Sequence, residues 1–360
     1  MSTPVSLLTL PVDILLGIVG FLEIEDQFHL GLCCKDLSFL FYHDEICQRN
    51  LLNCAPFSVK SEPYSRAWRS FAKRMIAVKT ARPWLLSVIA VCSSFIYNDS
   101  VLVYCVRRSI RILRLQGSVA EEVAIDIPRL LRAAHLGGLE LEALTLLHYA
   151  HGFVSFLLKV RGEGTQYWLI SCHAEGEVFL SCELVSTRKI FVRNSEDYLY
   201  FGVLVPGVNN DNERWSLRSL NLGSRQVSSP FLLPEFFGSK IGQDTTFKII
   251  DDYFYGVSIV QPLANDCQQR SFYSMFRFRL GSHPSDQVLP EAPLQRVVWE
   301  GSSIDNNWST IALMQCEKTG RIFITETGKE FTATGYSQRF CYRKEISSPG
   351  HESTKDETVM

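Results

Sequence analysis

Lys189-Ile190-Phe191-Val192-Arg193-Asn194-Ser195-Glu196-Asp197-Tyr198-Leu199-Tyr200-Phe201-Gly202 sets two short apolar runs around an acidic turn. β-branched and aromatic residues suit the pleated, half-buried surface of a strand, while Asn, Ser and Asp between them suit a tight turn. The stretch therefore predicts two joined strands. The pattern returns: Phe247-Lys248-Ile249-Ile250 runs through Asp251-Asp252 into Tyr253-Phe254-Tyr255-Gly256. Phe95-Ile96-Tyr97 and Phe153-Val154-Ser155-Phe156 also follow a polar or glycine turn and begin an apolar strand. Further alternating strands are expected at 167–170, 215–220 and 272–280, with a weak fourth strand near 226–233. A fifth unit is expected at 308–342, where 310–314, a turn at 317–320 and 321–325 read as a hairpin.

A repeat of roughly 45 to 60 residues carrying up to four strands is the sequence signature of a β-propeller blade. An irregular β-sandwich is the rival architecture. The propeller is preferred because such units bury their faces against neighbours, and a closed ring leaves no free sheet edge. Two interruptions stand out. Residues 128–143, with Arg129, Leu130, Leu131, Leu136, Leu139 and Leu141 around Gly137-Gly138, read as an inserted helical loop, and 281–296 is proline-rich and expected to be exposed.

The composition is that of a folded globular chain: 46% hydrophobic, 21% charged and 12% aromatic over 360 residues. A formal charge of −2 gives no reason to expect nucleic acid or an anionic membrane as the main partner. The eleven cysteines are irregularly spaced, form no CxxC pair and follow no secretory signal, which fits reduced thiols in the cytoplasm and/or nucleus. The first 22 residues are apolar, but no basic residue precedes them and Pro11 and Asp13 interrupt them. No later stretch runs uninterrupted for the ~18 residues of a membrane span.

The amino-terminal region has a different period. Pro11 suits a first helical turn, where its missing N–H costs nothing, and Asp13 puts an anion at the positive end of the helix dipole. Ile14, Leu15, Ile18, Phe21 and Leu22 recur at three- and four-residue steps, giving an apolar stripe. Glu23 to Asp26 opens a second helix containing Phe28, Leu30 and Leu32. A third short helix is expected after Asp36 as N-cap, with Leu37, Leu40 and Phe41 inside, ending near His43-Asp44. Three such helices bury too little surface to be stable alone, so part of this apolar surface is expected to await a partner.

On these residues the segment 8–52 resembles an F-box. Leu10-Pro11, Ile14-Leu15, Ile18, Leu22, Asp26, Phe28, Leu30 and Cys34-Lys35 match the family pattern in one register without gaps. Leu37 and Cys47 stand where the family usually has tryptophans, and Gln27 replaces a leucine. The resemblance implies that the segment holds a Skp-type adaptor and, through it, a cullin ubiquitin ligase. The adaptor-binding residues it implies are Leu10, Pro11, Ile14, Leu15, Ile18, Leu22, Phe28, Leu30, Cys34 and Leu37. The alternative is an ordinary amphipathic helical cap on the domain that follows.

Residues 53–84 read as a connection. The start is polar and proline-bounded, and from Tyr64 a helix is expected with Trp68, Phe71, Ala72, Met75 and Ile76 on one side. The other side carries Arg66, Arg69, Lys73, Arg74, Lys79 and Arg82, read as the solvated face of a linker helix in preference to a nucleic-acid surface. From Lys344 on the tail is polar and expected to be disordered.

No GxSxG, Walker, HExxH or dinucleotide fingerprint appears. The best enzymatic rival uses Asp99, Asp197, Asp251 and Asp252 as the carboxylate pair of a propeller hydrolase, but they fall at comparable turns of successive units, where Asp forms Asx-turns. His148, His151, Cys172, His173 and Cys182 have no tight ligand spacing, and strand alternation sends Cys172 and His173 to opposite faces. Cys33-Cys34 is read as packing, since consecutive helical side chains point about 100° apart.

The combined expectation is an α+β chain: a three-helix F-box at 1–52, a linker with a basic amphipathic helix at 53–84, an all-β, β-propeller-like domain of about five units at 85–343, and a tail at 344–360. It resembles fungal F-box proteins that are substrate receptors of Skp-cullin-F-box ligases; the alternatives are a non-degradative F-box scaffold that binds the adaptor for assembly only and, third, a propeller-type hydrolase. The expected partners are the adaptor, its cullin and a protein target at an unidentified surface, with no catalysis, cofactor or metal. The loops at 206–214 and 261–270 and the insert around Gly137-Gly138 are expected to carry recognition, because variable loops on a regular scaffold usually do.

Overall fold

The computed structural model describes residues 7–55, 63–83, 88–115, 121–161, 165–184, 187, 189–206, 213–233, 236, 238–260, 271–282, 289–290, 294–296, 303–304, 308–331 and 336–346. It is mostly β, with a few helices at the amino-terminal end. Two compact units are present: Met1–Ile89 with Gln315–Phe323 and Ile346–Met360, and Ala90–Met314 with Ile324–Glu345.

The first unit contains α1 (Val12–Phe21), α2 (Ile24–Cys33), α3 (Asp44–Cys54) and α4 (Tyr64–Thr80). Pro11 and Pro63 occupy the N-cap positions of α1 and α4, each at φ −52°, so proline's fixed geometry leads the chain into both helices. α4 stops at Ala81, which adopts the left-handed conformation at φ 52°.

The expected third helix is displaced. Residues Ser38–Phe41 form only a short 3-10 turn, and the α-helix begins at Asp44, with Asp44 and Glu45 in its first turn. Leu37 and Leu40 point into a core shared with Leu15, Val19 and Ile46, so their burial holds a turn where a longer helix was expected. A second core gathers Phe28 from α2, Cys47 from α3, and Trp68, Ala72 and Ile76 from α4. α4 is therefore part of this unit's packing and not a free linker. Gln27, standing where a leucine was expected, donates to Leu22 O at 2.8 Å and accepts from Asn50 Nδ2 at 2.6 Å, a buried polar bridge between α2 and α3.

The second unit holds most of five antiparallel sheets. The first has β1 (Phe95–Asn98), β2 (Val101–Val106), β3 (Ser109–Arg114) and β4 (Glu121–Asp126) in sequence order, followed by α5 (Ile127–Ala133). The second has β5 (Glu140–Ala150), β6 (Phe153–Arg161), β7 (Thr165–His173) and β8 (Val178–Glu183). The third has β9 (Ile190–Asn194), β10 (Tyr198–Val205), β11 (Arg214–Asn221) and β12 (Phe231–Leu232). The fourth has β13 (Thr245–Ile250), β14 (Tyr253–Val260) and β15 (Phe272–Arg279), with β16 (Leu289–Pro290) and β17 (Leu294–Gln295) both pairing β15. In the fifth, β18 (Ser303–Ile304), β19 (Thr310–Gln315) and β21 (Ser337–Ile346) pair with β20 (Ile322–Phe331).

Successive meanders of this kind make the domain propeller-like. One apolar core lies between the first and second sheets, with Val103, Ile110, Ile112, Val154, Phe156 and Leu158. Another links the second and third through Leu169, Val192, Leu199 and Phe201. Between the third and fourth sheets the filling is aromatic: Phe191, Tyr200, Trp215, Phe247, Phe254, Phe276 and Phe278. Phe191 stacks on Phe247 with ring centroids 3.8 Å apart.

Four expectations change here. Phe153, Tyr198 and Tyr253 begin the second strands of their sheets, but Phe95 begins a first strand, so the true counterpart in the first sheet is Val101. Residues 128–143 are part helix and part strand: α5 is capped by Asp126, whose Oδ1 accepts from Arg129 N–H at 2.7 Å, and β5 begins at Glu140. The proline-rich stretch contributes β16 and β17, and Arg296 beside them is buried. Lys344 and Glu345 lie in β21 with Ile346 buried, while 347–360, 207–212 and 261–270 lie outside the described residues.

Candidate functional site

α1 is apolar on two sides. Leu15 and Val19 face the unit's own core, whereas Val12, Ile14, Ile18 and Phe21 are exposed, Phe21 to 94%. A helix apolar all round normally belongs in an interior, and this one is covered on one side only. Of the residues named from the sequence, Pro11, Ile14 and Ile18 stand at the surface, and Leu10, Leu22, Leu30 and Cys34 are half-buried. Leu15, Phe28 and Leu37 are interior and hold the two helical cores, so they support the surface without forming it. Phe21 was legible as a member of the stripe but was not assigned to the site; exposed Leu32 on α2 was likewise missed.

The basic face of α4 is partly occupied within its own unit. Arg74 pairs with Glu317 at 2.9 Å, Lys79 pairs with Glu25, and the Arg69 guanidinium lies 4.7 Å from the centre of the Tyr42 ring.

In the β unit the successive sheets are tied together by side chains. Asn98 Nδ2 at the end of β1 donates to Tyr149 O of β5 at 3.0 Å, and Asn194 Nδ2 at the end of β9 donates to Ala150 O at 3.0 Å. Arg193 Nε of β9 donates to Phe247 O of β13 at 2.7 Å, and Lys248 Nζ of β13 donates to Leu313 O of β19 at 3.1 Å.

These cations share a register. The first hairpins of the second and fourth sheets close on the pairs Ala150–Phe153 and Ile250–Tyr253. In the third sheet Ser195 N–H donates to Tyr198 O at 2.8 Å, extending the ladder to the same place. His148, Arg193 and Lys248 each stand two residues before that closing pair, opposite Ser155, Tyr200 and Tyr255. Loss of solvation pushes His148 down to about 3, helped by the positive charge of Arg193 and by His151. Burial lowers Arg193 to about 10. Lys248 is held below its ordinary range by lost solvation, with Asp99 opposing the shift and Arg193 adding to it. The imidazole is therefore neutral at pH 7 beside the Arg193 cation, which also acts on Lys248. The sequence signal was a basic residue at one repeat position, hidden because each copy lies in a different sheet.

Asp99, Asp197 and Asp251-Asp252 fall in the β1–β2, β9–β10 and β13–β14 turns respectively. Asp99 and Asp251 have φ 45° and 51°, the left-handed region that Asp tolerates better than most side chains. His173 packs edge-on against Phe153, and Cys172 is buried with its thiol pushed up to about 12 by desolvation. Among the described residues no group of three or more His, Cys, Asp or Glu is placed to hold a metal, and no helix is long and apolar enough to cross a membrane.

A second polar centre is fully interior. Arg296 forks onto Glu326 through Nε at 2.9 Å and through Nη2, and Tyr273 O–H donates to Glu326 Oε2 at 2.6 Å. Arg296 also walls a cavity of about 290 Å³ with Gly238, Asp244 and Ser309.

No family model matches the sequence, and no curated protein matches it. Among solved structures, the chain is similar to Bacteroides ovatus xyloglucan PUL GH43B at 13% identity, over 71% of this chain and 52% of that one, with a TM-score of 0.33. It is also similar to TolB from Acinetobacter baumannii at 13% identity, over 78% and 60%, with a TM-score of 0.31. A third is the subtype N11 neuraminidase-like protein of A/flat-faced bat/Peru/033/2010 (H18N11), at 10% identity over 72% and 73%, with a TM-score of 0.36. The chain spans about half to three-fifths of the first two. These comparisons correct one expectation: glycoside hydrolases stand among the similar structures, so the statement that the chain catalyses nothing is withdrawn. At these scores the likeness transfers no substrate or residue role.

Proposed function

We propose that the chain is a substrate-recognition subunit of a Skp-cullin-F-box ubiquitin ligase, docking a Skp-type adaptor through its amino-terminal helices and a protein target through its β unit. The observation that carries this reading is the two-sided apolar character of α1, with Val12, Ile14, Ile18 and Phe21 exposed on a helix whose opposite side is already packed. Leaving Phe21 almost wholly in water forgoes roughly 1.5–3 kcal/mol relative to burial, and the partly covered Val12, Ile14 and Ile18 forgo correspondingly less, a cost that an adaptor groove removes. The F-box resemblance over 8–52 supplies the partner's identity, and the surface position of Pro11, Ile14 and Ile18 agrees with it. Function then follows from proximity: a chain that holds adaptor and target at once raises the target's effective concentration near the ligase.

The test is co-purification of the full chain with a Skp-type adaptor, comparing the native sequence with an Ile14→Asp, Ile18→Asp, Phe21→Asp triple variant. The expected result is loss of the adaptor with the melting temperature of the β unit unchanged. Equal adaptor recovery from both chains would overturn the reading. Proteins that accumulate on the native chain only when the proteasome is inhibited would be its degraded targets.

A further inference from the structure

We propose that the row formed by His148, Arg193 and Lys248 is a binding site for a small oxyanion, a phosphate or carboxylate group, held at the leading strands of the second, third and fourth sheets. Three successive sheets place these groups at one register, two residues before the close of the first hairpin, and the charge of Arg193 acts on both of its neighbours. The groups are fixed in advance. Arg193 spends Nε on Phe247 O and Nη1 on Val192 O, each at 2.7 Å, and Lys248 spends one Nζ hydrogen on Leu313 O.

Those acceptors are neutral carbonyls, so they orient the cations without cancelling their charge. Among the described residues neither Arg193 nor Lys248 is in an ion pair, and Asp99 is the one acid whose charge acts on Lys248. Arg193 Nη2 and two hydrogens of Lys248 Nζ remain as donors. An oxyanion takes charge-assisted hydrogen bonds of this kind at about twice the strength of neutral ones. It would also lessen the Arg193 repulsion that adds to lost solvation in lowering His148, whose neutral imidazole already carries one N–H to donate. This proposal does not rest on the adaptor reading, and its success or failure leaves that reading untouched.

If the cations served only to tie strands together, added anions would act on the protein through ionic strength alone. The experiment is thermal unfolding of the full chain in sodium phosphate, sodium acetate and sodium chloride at matched ionic strength and pH 7. The expected result is a saturable rise of roughly 2–4 °C in one oxyanion series and none in chloride. Phosphate alone raising the midpoint assigns a phosphate ligand, and acetate doing so assigns a carboxylate. Arg193→Met is expected to abolish the rise. Because that variant also loses the Phe247 tie, Lys248→Gln is measured beside it and is expected to weaken the response at least several-fold in midpoint concentration. A rise shared by chloride, a rise unaltered in Lys248→Gln, or no saturable rise in the native chain overturns the proposal.

Discussion

Gly202 of β10 lies beneath the ring of its cross-strand partner Phe191: a Cβ at Gly202 would sit 2.4 Å from Phe191 Cε1. Phe191 has little room to retreat, because its ring also packs on Phe247, stacked at 3.8 Å, Trp215 at 5.3 Å and Phe254 at 6.1 Å. Gly256 repeats the arrangement under Phe276, with 2.3 Å to Cε1. Gly202→Ala is therefore expected to destabilise the β unit by about 1–3 kcal/mol through overpacking, despite the better strand propensity of alanine. Denaturant midpoints of the native and substituted chains check this; an unchanged or raised midpoint would mean that the aromatic layer is loosely packed.

Interior and surface positions of α1 should separate cleanly. Leu15→Ala removes a side chain that is 5% exposed and opens a hole among Val19, Leu37 and Leu40, at an expected cost of about 2–5 kcal/mol. Ile18→Ala, at 38% exposure, should cost less than about 1 kcal/mol of stability while still weakening adaptor binding. Paired measurements of unfolding and adaptor affinity on both variants test the split.

His148 gives a pH dependence whose sign is fixed. Its folded value is about 3, while an unfolded histidine titrates near ~6.5. Between those values the unfolded chain binds the extra proton, so stability falls as pH drops from about 6.5 toward 3, and this residue contributes no slope above that window. Arg193 and His151 are the charged and titratable groups acting on it, and His151 in turn stands 3.7 Å from Glu196. His148→Gln should lose less stability than the native chain between pH 7 and pH 5, as read from urea midpoints at the two values.

The Arg296–Glu326 pair should be costly to break and cheap to replace. Both side chains are almost fully buried, at 4% and 1% exposure. Arg296→Met alone leaves the carboxylate desolvated and is expected to cost about 3–5 kcal/mol, whereas Arg296→Met with Glu326→Leu should recover much of it. A double-mutant cycle on unfolding free energies gives the coupling, and additive losses would mean that the pair is solvated in solution.

Much of the β unit was legible because strand alternation and turn chemistry are local. The Phe191 to Gly202 stretch announces its hairpin without help from the rest of the chain. Phe95 misled for the same reason: an aromatic run after a polar turn looks alike whether it begins a first strand or a second, and only pairing with Val101–Val106 tells them apart. α3 was missed because its buried residues Ile46, Cys47, Asn50 and Leu51 include a polar one, which blurs the apolar stripe. The split of α1 residues into core and surface depends on which side Leu37 and Leu40 occupy, a tertiary fact. His148, Arg193 and Lys248 lie far apart in sequence, and only the pairing of their sheets shows that they share one register.

Every tie between sheets described above ends on a backbone carbonyl: Tyr149, Ala150, Phe247 and Leu313 accept through main-chain oxygen. A main-chain acceptor survives almost any substitution, so selection on these links acts on the donor alone. Among homologues, Asn98, Asn194, Arg193 and Lys248 would be retained for these links, while the buried residues at the acceptor positions would be constrained by packing alone. The contacts joining the sheets would then leave no correlated pairs in an alignment, and inference of inter-sheet neighbours from covariation would underestimate how firmly this domain is joined.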